Sequence, residues 1–146
     1  MKPTTRVGDF SVCKEAADQF YITAHRCKGE NVADYLLDGF YPYAVNIAFA
    51  CELYLKAIMI HRSVNNEFWT GHELRELFSH LDSADSQVIE KNFANKLPSK
   101  DLHTFLIGNN KVFEEWRYAL EGSVMMDISG FEAFSEILHD YVQALV

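Results

Sequence analysis

The chain is poor in cysteine: Cys13, Cys27 and Cys51 make an odd count with no C-x-x-C pair. That pattern excludes a secreted disulfide scaffold and fits a reducing cytoplasm. Cys13 and Cys27 fall on one predicted helix, about 21 Å apart at ~1.5 Å per residue, beyond the ~7 Å reach of a disulfide, so they read as small hydrophobes. Basic charge is also short, 13 Lys plus Arg against 21 Asp plus Glu, a net −8. This acidic field repels phosphate backbones and excludes broad binding of duplex DNA. The first ten residues hold no apolar stretch of the signal-peptide kind. Tyr43 to Ile60, the most hydrophobic run, is broken by Glu52 and Lys56, which argues against a membrane span. No strand-length alternation, internal repeat, low-complexity tract or linker is visible. Also missing are G-x-x-x-x-G-K-[ST], G-x-G-x-x-G, G-x-S-x-G and H-E-x-x-H, the signatures of common NTPases, dinucleotide-binding proteins, hydrolases and zincins.

What is present is helical periodicity over 146 residues with 49% hydrophobic content, enough for a single domain with one core. A domain of this size buries roughly 68–70% of its unfolded surface, so folding itself requires no metal or cofactor. The spacing predicts a helix from about Phe10 to Lys28, with Val12, Ala16, Phe20, Ala24 and Cys27 as its apolar stripe and Gly29 as its stop. Glu30 to Tyr41 is ambiguous. Pro42 suits the first turn of a second helix running through Tyr43 to His61, apolar nearly all round and therefore central. Asn65, Asn66 and Gly71 mark a loop containing Phe68 and Trp69, aromatic residues placed for a subunit contact. Short helices follow over His72 to Leu81 and Ala84 to Lys96, the latter capped by Asp82 or Ser83 and ended before Pro98. Ser99 to Glu121 is divided near Gly108, Asn109 and Asn110. Ser129 with Glu132 reads as a capping box, and Phe131, Phe134, Ile137, Leu138, Tyr141, Val142 and Leu145 form the last helix's buried face. The expected fold is all-α, an up-and-down helical bundle with additional short helices.

Three phrases recur in order: Asn46-Ile-Ala-Phe-Ala-Cys-Glu-Leu-Tyr-Leu-Lys-Ala57, Gly71-His-Glu-Leu-Arg-Glu-Leu-Phe78 and Phe113-Glu-Glu-Trp-Arg-Tyr-Ala-Leu-Glu121. Together they resemble the small prokaryotic HEPN domain. The resemblance implies a single HEPN-like bundle over residues 1–146, a homodimer, contact with RNA, a nucleotide or a cognate protein, and a place in stress, toxin–antitoxin or phage-defence systems. Many HEPN ribonucleases pair an Arg with a His a few residues further on. Arg75-Glu-Leu-Phe-Ser-His80 matches that text but lies early in the chain. Arg117 matches by position, yet Tyr118 follows it and no His occurs before His139.

Arg75 and His80 are thus the candidate catalytic residues of a metal-independent endoribonuclease, with His80 as acid or base and Arg75 on the phosphate. On a regular helix they point roughly 140° apart, so convergence needs a bend or a second subunit. His72, Glu76 and His80 share a stripe, but the two histidines are ~12 Å apart along it, too far to ligate one ion, and no metal is expected. Glu52 and Lys56 need partners inside an apolar helix. Arg117, amid Phe113, Trp116 and Tyr118, is the expected partner of Glu52. Alternatively Glu52, Lys56, Arg117 and Tyr118 line a nucleotide or RNA cleft, with Tyr54 or Tyr118 stacking on a base. The leading expectation is a cytoplasmic binding module without cofactor; the alternative is the Arg/His endoribonuclease.

Overall fold

The computed structural model describes residues 4–28, 39–110 and 126–145. Among these the order is β1 (Thr5–Val7), α1 (Phe10–Cys27), α2 (Phe40–Arg62), β2 (Glu67–Trp69), α3 (Leu74–Ser79), α4 (Ser83–Lys96), α5 (Leu102–Gly108) and α6 (Ile128–Gln143). The class is all-α, as expected, with one minimal sheet added. Its strands are antiparallel, with Thr5 opposite Trp69, Arg6 opposite Phe68 and Val7 opposite Glu67. At three residues each, they are too short for period-2 alternation to register in the sequence.

The run of apolar side chains makes α2 the hub. Its 23 residues have a mean hydropathy of 1.5 over the best 18-residue window, long and apolar enough to cross a membrane by those measures alone. However, 78% of that window is covered by the rest of the chain, which is how the core helix of a folded domain behaves. Helix α1 packs antiparallel along α2: Phe10 meets His61 at one end, Phe20 meets Phe49, and Lys28 lies over Tyr43 at the other. Helix α6 covers a second side, and α4 runs antiparallel to it, with Asp85 near Tyr141 and Lys96 near Glu136. Phe105 of α5 closes the core against Phe93, Phe131 and Phe134.

Several boundaries are corrected. Helix α1 buries Ala17 and Ala24 and turns Cys13 and Phe20 inward, whereas Val12 is 65% exposed, so its stripe begins one residue later than the periodicity suggested. Helix α2 starts at Phe40 and keeps Pro42 in its first turn. The short helix α3 spans Leu74–Ser79, since His72 is engaged elsewhere. The last helix is capped by Asp127, which accepts from Gly130 N–H at 3.0 Å, and Ser129 lies inside the helix. An Asp two residues upstream wins because its carboxylate oxygen reaches the orphan N–H directly. Residues 30–38 of the ambiguous Glu30 to Tyr41 stretch lie outside the described residues, as do Gly29 and all of the Ser99 to Glu121 segment beyond Asn110.

Candidate functional site

One turn of α2 separates Glu52 from Lys56, so both project on the same side, toward β2 and the chain entering α3. Both are buried: Glu52 is 2% exposed and Lys56 7%. Lys56 Nζ donates to Glu52 Oε2 at 3.0 Å, and His72 Nδ1 lies 3.0 Å from Glu52 Oε1. A carboxylate only accepts, so Nδ1 carries the proton in this contact. Lys56 Nζ also sits 5.7 Å from the centre of the Phe68 ring, a cation–π distance. Cys13 flanks the pair from α1, its Sγ donating to the Leu53 carbonyl at 3.2 Å. Burial pushes that thiol up to about 11, with Lys56 pulling it down and Glu52 pushing it further up, so it is an unreactive neighbour. Burying this ion pair costs more than the same volume of hydrocarbon, because desolvation opposes the Coulombic gain. The side chain of His72, 49% exposed, is its opening to solvent.

Two turns further on, α2 ends beside a second polar group. Arg62 reaches Asp85 of α4 with Nε at 3.1 Å from Oδ2 and Nη2 at 2.9 Å from Oδ1. Tyr141 of α6 donates its hydroxyl to the same carboxylate. Asp85 is 1% exposed, so its charge is fully spent on these donors. The hydrogen bonds that Arg62 donates to Asp85 hold its guanidinium deep in its charged form, and burial together with Asp85 raises Tyr141. Arg62 and Asp85 form one side of a cleft of about 200 Å³ between the end of α2, β2 and the start of α4. Trp69 and His80 form another, stacked with ring centres 3.8 Å apart and planes 13° from parallel.

The candidate residues separate accordingly. Glu52 and Lys56 come together, as expected of a buried polar network, and His72 joins them. His80 lines the cleft, while Arg75 does not and is exposed, its backbone N–H held by Asn110 Oδ1 at 2.7 Å. The stripe of His72, Glu76 and His80 is split between two environments, and no group of three metal-ligating side chains occurs among the described residues. Arg117 and Tyr118, with the predicted Glu52–Arg117 pair, lie outside the described residues. Phe68 and Trp69 are engaged within the chain, on Lys56 and His80. Sequence reasoning missed Arg62, Asp85 and the partnership of His72 with Glu52; the nearest signal was the pair of charges inside an apolar helix. Comparison with protein-family models, with curated proteins and with solved structures gives no match.

Proposed function

We propose that this chain is a HEPN-like helical domain, cytoplasmic and homodimeric, that acts by binding a partner in a prokaryotic stress, toxin–antitoxin or phage-defence system and does not itself cleave RNA. The observation that carries this reading is the hydrogen bond between Glu52 and His72. It joins the first HEPN-like phrase to the second at a buried ion pair. Such a pair contributes little net stability compared with an apolar substitute, which favours a role in recognition. Of the partners that the resemblance implies, RNA, a nucleotide or a cognate protein, the net charge of −8 favours the protein. Arg75 and His80 support the endoribonuclease alternative poorly, because only His80 lines the cleft and one face of its ring is occupied by Trp69.

The test is incubation of the purified protein with an end-labelled single-stranded RNA in EDTA. The expected result is intact RNA with both the wild-type protein and His80→Ala. Cleavage lost on His80→Ala and on Arg75→Ala would overturn the reading. Light scattering should give twice the 16.8 kDa chain mass.

A further inference from the structure

Among its described lining residues the cleft beside β2 holds three carboxylates, Glu67, Asp82 and Asp85, one guanidinium, Arg62, and one imidazole, His80. Arg62 and Asp85 cancel in their mutual hydrogen bonds, leaving Glu67 and Asp82 as the uncompensated charge. Neither carboxylate makes a hydrogen bond or ion pair among the described residues. For Asp82 this is informative, because it occupies the N-cap position of α4 and yet makes no side-chain capping bond, the ordinary use of an Asp there. Glu67 and Trp69 are alternate residues of β2 and so share a strand face. Asp82 follows His80 by two residues. Both carboxylates line the same cleft as the two members of the aromatic stack, and Ile58, Met59 and Leu81 supply apolar surface to it.

A phosphate would meet net negative charge here, with the Arg62 guanidinium already taken by Asp85. A planar cation gains on each count: carboxylates to accept its N–H groups, an indole to stack on and apolar walls for its methylenes. At about 200 Å³ the cleft is smaller than the ~300 Å³ lower bound of drug-sized pockets, and suits one side chain. We propose that this cleft receives an arginine side chain of a basic protein partner, held between the Trp69–His80 stack and the carboxylates of Glu67 and Asp82. This rests on the chain being a binding module and adds the place and chemistry of recognition.

The experiment is calorimetric titration of the full chain at low salt with capped hexa-arginine, hexa-lysine and a hexauridylate. Hexa-arginine is expected to bind at least fivefold more tightly than hexa-lysine. Glu67→Gln/Asp82→Asn should weaken it at least tenfold and Trp69→Leu at least fivefold, while removal of equal charge elsewhere, Glu15→Gln/Asp140→Asn, should change it less than twofold. Equal losses for the two charge-removing doubles would reduce the effect to general attraction and overturn the cleft assignment, leaving the binding-module reading intact. So would hexa-arginine binding that is indifferent to all these changes. Binding of hexauridylate in place of hexa-arginine would overturn the assignment and the preference for a protein partner together. Circular dichroism and thermal melts of each variant establish that it is folded.

Discussion

Helix α2 carries two ion pairs on one rod, and they are built differently. At its C-terminal end, Arg62 and Asp85 join α2 to α4, and Tyr141 ties in α6, so three elements share one carboxylate. In its middle, Glu52 pairs with Lys56 of the same helix, a contact that fixes no tertiary geometry, and with a half-exposed His72. The first arrangement is a clamp: its donors come from different parts of the chain and meet on one buried acid. The second is a buried charge with one open edge. A carboxylate shared among three packed helices specifies the fold; the Glu52–Lys56 bond lies within one helix, and it is His72 and Phe68 that tie it to the rest of the chain.

The largest effect should come from leaving a charge uncompensated at the middle site. Lys56→Ala strands Glu52 at 2% exposure with His72 as its hydrogen-bond partner among the described residues, and should lower unfolding stability by about 3–5 kcal/mol in urea titrations. A loss below ~1 kcal/mol would mean that Glu52 is solvated and would break the comparison. Next is the clamp. Asp85→Ala should cost about 2–3 kcal/mol, less than the first change because Arg62, 41% exposed in its side chain, can turn to water. Tyr141→Phe should cost about 1 kcal/mol, and in the Asp85→Ala background nearly nothing, a coupling that a double-mutant cycle measures.

The smallest effect concerns a contact far from either pair. Asp127→Ala removes the cap of α6 and should cost about 1 kcal/mol at neutral pH. Burial works to raise the Asp127 pKa, but hydrogen bonds from Lys100 and Gly130 outweigh it and bring it below 3.8. A depressed folded-state pKa gives stability that is present above the unfolded value and lost as pH falls through the folded one. The gap between Asp127→Ala and wild type should therefore close below pH 3.8, read from melts at successive pH values. A gap independent of pH would assign the effect to packing.

How legible these regions were follows from the range of the interactions. The α2 hub was readable because an apolar run is a local signal, and Glu52 and Lys56 stood out as charges within it. Which group satisfied Glu52 was not readable, since His72 is twenty residues away and its approach depends on β2 turning back against β1. Asp85 in the first turn of α4 looks like an ordinary dipole-complementing acid; only tertiary packing buries it. Trp69 and His80 were each noted for other roles, and their stack comes from the arrangement of β2 and α3. The one-residue shift of the α1 stripe arises because Cys13 and Ala17 fit closer to α2 than Val12, a choice that helical spacing alone leaves open.

The difference between the two pairs is that the terminal one holds the fold together and the middle one is not required by it. It is tested most directly by the unfolding free energy of Glu52→Leu/Lys56→Met, which replaces both charges by hydrocarbon of similar size. The expected value is equal to or above that of the wild-type protein. A loss as large as that of Lys56→Ala alone would contradict it and make the Glu52–Lys56 pair part of the architecture.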